Sequence, residues 1–342
     1  MIRRIFSLIL TAIVVTGCAA PAKMEDKKQY QATFLELFDT VTTMIGYAET
    51  EEEFQEISGK VHDELEIYHQ LFDIYNSYEG IANLKTINDQ AGIAPVEVDR
   101  KMIDLLLDCR DYYELTAGKV NVAMGSVLRL WHEAREDGIY DPQHAKLPDE
   151  LELKEAAKHC SFDTVIIDEE SSTVYLEDPM QSLDVGAVAK GWAVEQVCQD
   201  APAGLLVSVG GNVRATGPKP EEIPWVVGIQ DPDGDADEYL HTLYVRQESV
   251  VTSGDYQRYY VVDGMKYHHL IDPETMFPGM KWKAVSVVCE DSGLADVLST
   301  ALFMLSQEEG QVLLDQQDAC AMWVNLDGDI CYSTGFEALI RT

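Results

Sequence analysis

Apolar positions recur along this chain at two periods, and the changes of period mark out its elements. Between Glu52 and Phe72 the residues Phe54, Ile57, Val61, Leu65, Tyr68 and Phe72 fall at steps of three and four, the repeat of one helix face. Arg100–Leu115 reads as a second helix with Asp99 as its N-cap. Leu151–His159 and the apolar run Leu294–Leu305 read as further helices. Val188, Trp192, Val194 and Val197 continue a helical pattern out of a loop of small residues.

Phe34–Tyr47, β-branched from Thr40 to Thr43, reads as a first strand. Thr164–Asp168 and Thr173–Glu177 read as a hairpin around Glu169–Ser172. Leu205–Val209, Trp225–Gln230, Leu243–Val245, Val250–Thr252, Tyr259–Val262 and Ala284–Cys289 read as strands. Met322–Asn325 and Ile330–Tyr332 form a last hairpin around Asp327-Gly328. Asp73–Asn88 and Asp137–Pro148 read as loops. Strands and helices mix without a regular βαβ alternation. The pattern therefore predicts an α+β fold of mixed, largely antiparallel sheets with packed helices, not a doubly wound sheet.

The first residues follow another logic. Arg3 and Arg4 precede the apolar run Ile5–Val15, the shape of an export signal. Val15-Thr-Gly-Cys18 resembles a bacterial lipoprotein cleavage box. That resemblance implies a signal peptide over 1–17, a lipid on Cys18, a polar tether over 18–30 and a location on the extracytoplasmic side of the cell membrane. The folded domain is then 31–342, one large domain or two modest ones by length.

Charge narrows the partners. The 342 residues include 25 Lys+Arg against 60 Asp+Glu, a formal net charge of −35. Such a surface repels nucleic acid and leaves a well-solvated exterior. Of the seven cysteines, Cys109, Cys160, Cys198, Cys289, Cys320 and Cys331 remain after Cys18. They form no CxxC pair, so zinc is unsupported. Most have apolar neighbours and read as core thiols, with disulfides left open.

The stretch Asp184-Val-Gly-Ala-Val-Ala-Lys-Gly-Trp192 carries candidate chemistry. Its small residues allow close approach of a ligand, a helix starting there turns free N–H groups toward an anion, and Lys190 adds positive charge. Plain helix packing reads equally well from these residues alone. Asp296 and Thr300 sit four apart among apolar neighbours, so both share one helix face. A carboxylate there needs a partner or a cation; the bland alternative is a helix-terminal Asp with a Thr bonded back one turn. His269, in His268-His-Leu-Ile-Asp-Pro273, offers an imidazole for proton removal near neutral pH or a structural contact. Val209-Gly-Gly-Asn212 is a ligand-approach loop or a tight turn. Val251-Thr-Ser-Gly-Asp-Tyr256 reads as a binding or structural loop.

Taken in order, Asp184–Trp192, Leu206–Asn212, Val251–Tyr256, His268–Pro273 and Asp291–Thr300 closely resemble the FAD:protein FMN transferase (ApbE-type) family, from about Phe38 to about Phe336. The resemblance implies an ApbE-like fold. It also implies Mg²⁺-dependent transfer of FMN from FAD to a Thr or Ser hydroxyl of an acceptor protein, with release of AMP. Carried over, the metal ligands are Asp296, Thr300 and the carbonyl of Ala187. FAD is held by Tyr75, Asn121, Asp184, Lys190, Gly210, Gly211 and His269, with His269 and Asp296 catalytic. Acceptors implied are membrane redox complex subunits and exported flavoproteins. The chain departs from the pattern at Asn121 and Ala123, where the family has Asp and Thr, and at Met276, where it has Gly. An FAD-binding lipoprotein without turnover and a Mg²⁺-dependent FAD pyrophosphatase are the alternative readings.

Overall fold

A computed structural model describes residues 27–235 and 237–342. The expected signal segment, Cys18 and most of the tether lie outside the described residues. The chain opens with strands β1 (Lys28–Phe34) and β2 (Thr42–Ala48), then α1 (Glu51–Phe72), α2 (Leu84–Asp89), β3 (Val96–Glu97), α3 (Arg100–Leu115), α4 (Gly125–Tyr140) and α5 (Glu150–Ala156). There follow β4 (Val165–Asp168), β5 (Thr173–Leu176), α6 (Ala189–Gln199), β6 (Leu205–Val209), β7 (Asn212–Ala215), β8 (Trp225–Gln230), β9 (Tyr239–Val245) and β10 (Ser249–Gly254). The last third holds β11 (Tyr259–Val262), β12 (Met265–His268), β13 (Trp282–Cys289), α7 (Ser292–Met304), α8 (Gln307–Leu314), β14 (Ala319–Asn325) and β15 (Ile330–Tyr332).

The expected α+β class holds. An eight-stranded sheet runs β1-β2-β6-β7-β10-β13-β14-β15 with every neighbouring pair antiparallel. A three-stranded sheet β3-β5-β4 and the hairpins β8–β9 and β11–β12 stand apart from it. Alternation along the central strands splits the interior into two layers. In β13, Val285, Val287 and Cys289 face helices α1, α6 and α7, while Ala284 and Val288 face β8–β9 and the turn at Phe336. A smaller core around Val127, Trp131, Leu153 and Tyr260 joins α4, α5 and the β11–β12 hairpin.

Several elements differ from the sequence reading. The stretch 34–47 is not one strand: the chain turns at Phe38 and Asp39, both at φ 53°, and re-enters as β2. The segment 73–88 contains α2, whose Asn83 and Thr86 form a capping box. α4 runs through the start of the expected 137–148 loop. β1, which begins inside the expected tether, and β3, β7, β12, α4 and α8 were not expected. Leu151–His159 is α5 followed by a 3-10 turn. The six described cysteines are all free, and burial pushes every one of their thiols up.

Candidate active site

One cleft of about 940 Å³ is lined both by the main sheet with α6 and α7 and by the α4–β11–β12 unit. Asp184, Ala187, Lys190, Asp296 and Thr300 meet there, as do Tyr75, Asn121, Gly210 and His269.

The 183–188 loop is held from outside. Asn88 acts as a backbone mimic: its Nδ2 donates to the Leu183 carbonyl at 2.9 Å and its Oδ1 accepts from Leu183 N at 2.7 Å. Asp184 Oδ1 accepts from Gly186 N at 2.8 Å. Burial pushes the Asp184 carboxyl up, opposed by that N–H and by the charges of His132 and Arg258. The loop then winds into α6, whose N-cap, Val188, gives no side-chain bond.

At that helix start a cap comes from α7. The Gly191 N–H, third in the helix and so without a partner inside it, donates to Asp296 Oδ2 at 2.9 Å. Among the described residues no backbone N–H takes the Ala187 carbonyl. Such an approach requires glycine, because a Cβ on Gly191 would lie 2.4 Å from Asp296 Cβ. Lys190 Nζ lies 3.9 Å from the same carboxylate oxygen. The hydroxyl of Thr300, one turn further along α7, makes no hydrogen bond among the described residues. The bland roles are filled by neighbours: Asp291 caps α7 through Leu294 N at 2.8 Å, and Ser299 bonds back to the Asp296 carbonyl at 2.9 Å. Carboxylate, hydroxyl and uncommitted carbonyl thus form a hard oxygen set that fits Mg²⁺.

The paired histidines divide their work. His268 is closed: its Nε2 contacts the Gly279 carbonyl at 2.7 Å and its Nδ1 contacts Leu270 N at 3.2 Å. His269 faces the cleft with Nδ1 buried and unpartnered. Burial first, then the charges of Arg258, His268 and Lys190, hold its pKa down to about 3. Its imidazole is therefore neutral at physiological pH.

Other predicted residues have plainer explanations. Gly210 and Gly211, at φ 56° and 93°, are the two-residue turn between paired Val209 and Asn212, the geometry of a type I′ hairpin. Gly210 lines the cleft; Gly211 does not. Asn121 directs its amide into the protein, donating to the Cys160 carbonyl and accepting from Ala123 N, both at 2.9 Å. Its side chain organises the turn before α4, which leaves its backbone as the part that meets the cleft. Tyr75 is 58% exposed at the mouth, its ring 5.3 Å from that of His132. Met276 adopts φ 61°, which explains a glycine in the resembling pattern. Ser253 bonds Ser299 Oγ at 2.8 Å and is structural.

Residues not singled out from the sequence complete the site. Asn212 is buried at the cleft wall with Nδ2 unpartnered. Arg135, Arg258 and Lys119 join Lys190 in the lining, beside the carboxylates of Asp39, Asp73 and Glu136. The Gly-Gly-Asn motif was a signal for Asn212. Nothing local flags the three cations.

A model of the ApbE family matches residues 38–324. The chain belongs to that family. The FAD:protein FMN transferase of Treponema pallidum is 37% identical over 249 residues, 68% of this chain and 67% of the relative. That of Klebsiella pneumoniae is 30% identical over 286 residues, 80% and 86% of the two chains. The ApbE protein from Thermotoga maritima superposes with a TM-score of 0.81 at 28% identity, covering 92% of this chain and all of that one. The flavinyl transferase ApbE of Pseudomonas stutzeri, at 22% identity and a TM-score of 0.75 over 92% and 97% of the two chains, shares the ApbE fold.

Proposed function

We propose that this chain transfers FMN from FAD to a hydroxyl of an acceptor protein and does so with Mg²⁺ held at Asp296, Thr300 and the Ala187 carbonyl. The observation that carries the site is the Asp296 carboxylate seated on the Gly191 N–H, with the Thr300 hydroxyl and the Ala187 carbonyl in the same cleft and without hydrogen-bond partners among the described residues. Bound there, Mg²⁺ would add positive charge to the pyrophosphate oxygens. Lys190 holds the same anion with its ammonium group and with its backbone N–H, the one left uncommitted in the first turn of α6 among the described residues. Asp184 binds a polar edge of FAD, and Tyr75 packs against one of its rings. The acceptor hydroxyl oxygen bonds to the FMN phosphorus, the bond from that phosphorus to the AMP oxygen breaks, and AMP leaves. His269 receives the hydroxyl proton. Burial first, and then the charges of Arg258, His268 and Lys190, suppress its basicity in the cleft, and an incoming pyrophosphate offsets only the part that comes from the charges. The remaining work is in-line positioning and charge neutralisation.

The test is one reaction. Protein beginning at residue 27 is mixed with FAD, Mg²⁺ and a test protein bearing an Asp/Ser-Gly-x-Thr/Ser-Gly-Ala-Thr acceptor tag. A fluorescent acceptor band on a denaturing gel, with equimolar AMP and loss of both in EDTA, is expected. AMP without a band would replace transfer by hydrolysis. FAD bound with neither signal would make the chain a binding protein.

The Arg3-Arg4 start, the Ile5–Val15 run and the Val15–Cys18 box support a lipoprotein anchored through Cys18 on the extracytoplasmic face of the membrane. Membrane redox subunits and exported flavoproteins are accessible acceptors there. Among the described residues no helix is long and apolar enough to cross a membrane. A Cys18→Ala chain that still fractionated with membranes would sink the anchor.

A further inference from the structure

Helices α6 and α7 cap each other. Asp296 of α7 takes the Gly191 N–H in the first turn of α6. Glu195 of α6 takes the Ser292 N–H in the first turn of α7, at 2.8 Å through Oε2. Each helix contributes two positions four residues apart, so the contact is one antiparallel register made of two hydrogen bonds. The same Glu195 oxygen lies 3.1 Å from Arg214 Nε. Arg214 stands on β7, two residues after Asn212, and its Nη1 donates to the carbonyls of Ala215 and Gln247. Glu195 and Arg214 are each 6% exposed.

A buried ion pair is a poor device for stability alone, because desolvation offsets most of its attraction. Its directional bonds serve geometry better. We infer that Glu195, held by Arg214, is a positioning residue: through Ser292 it fixes the placement of α7, and so of Asp296 and Thr300, against α6 and the β6–β7 turn. The inference rests on the reading of Asp296 as a metal ligand. Glu195 and Arg214 do not line the cleft, so the effect passes through the helix pair rather than by contact with FAD.

Removing one partner alone would strand a buried charge, so the test removes both. E195Q/R214M keeps an oxygen for the Ser292 N–H and drops the charges. E195M/R214M drops the oxygen too. The readouts are the melting temperature, Mn²⁺ binding by electron paramagnetic resonance with FAD present, and FAD binding in EDTA. Both doubles should fold. E195Q/R214M should bind Mn²⁺ within about threefold of the parent, and E195M/R214M about 10- to 100-fold more weakly, the usual effect of losing a group that orients a ligand. FAD affinity without metal should move much less. Ser292→Pro breaks the contact from the other side, since Asp291 is extended at ψ 122° and proline suits a first helical position. It should weaken Mn²⁺ binding likewise and serves if E195M/R214M does not fold. Parent-like Mn²⁺ affinity in E195M/R214M or Ser292→Pro would overturn the inference. So would equal losses in the two doubles. An Asp296→Asn protein is the control: if it binds Mn²⁺ like the parent, the metal assignment fails, whereas a weakened control beside an unaffected E195M/R214M sinks the positioning role alone.

Discussion

Both faces of the large sheet bury apolar side chains, but only one adds a seam of directional bonds. On one, the β8–β9 hairpin lays Trp225, Val227, Leu243 and Val245 against Ala284, Val288, Met322 and Val324. On the other, α6 and α7 meet at a glycine, and their seam, with Arg214 of β7, buries Glu195, Ser292 and Asp296. Apolar burial has no preferred direction, so the first face needs only volume and shape. Hydrogen bonds do have direction, so the second face fixes atoms. The directional seam is the one that borders the cleft.

Substitutions should separate the two faces. The largest effect belongs to the seam: Asp296→Asn keeps an acceptor for the Gly191 N–H but loses the charge, and transfer assayed with saturating FAD should fall by about 10²- to 10³-fold with little change in melting temperature. A parent-like rate would erase the distinction. Leu243→Ala, fully buried in the apolar face, should lower unfolding free energy by about 3 kcal/mol while kcat/KM at 25 °C stays put. A changed kcat/KM would mean that the apolar face also sets the site.

Acid sharpens the comparison next. His269 titrates near 6.5 when unfolded and about 3 when folded. The unfolded chain therefore binds the extra proton between those values, and stability is lost as pH falls through that window. The slope should be about 1 kcal/mol per pH unit, and His269→Gln should flatten it in urea titrations at a series of pH values. An unchanged slope would show that His269 is not held neutral. The smallest effect is at the mouth: Tyr75→Ala should raise KM for FAD roughly five- to tenfold, about 1 kcal/mol, with kcat unaltered. An altered kcat with constant KM would move Tyr75 from binding to chemistry.

Much of this architecture was legible before any coordinates. α3 and the strands at 205–209, 225–230, 259–262 and 330–332 fall where the periodicity sets them. The failures have local causes. Phe38 and Asp39 adopt left-handed backbone without a glycine to announce the turn. α4 carries Gly125 and Gly138 and a charged middle that hides its apolar stripe. β7 and β12 are four residues each, too short for alternation to register. α8 did carry a sign, the Ser306–Glu309 capping box. In the site, residues within motifs were readable, while Arg258, Arg135 and Lys119 meet it only through tertiary packing. Gly191 was visible as part of a small-residue loop. Its need to lack a side chain exists only against α7.

The six free thiols carry a consequence for biosynthesis. Each is buried or half-buried, and burial pushes Cys198 up to about 12 and Cys320 to about 11. Almost none of either is thiolate at neutral pH, and thiolate is the form that exchanges with disulfides. Once folded, the described thiols exchange only slowly with disulfides, so the redox poise that matters is the one met before folding, while the thiols are open to solvent.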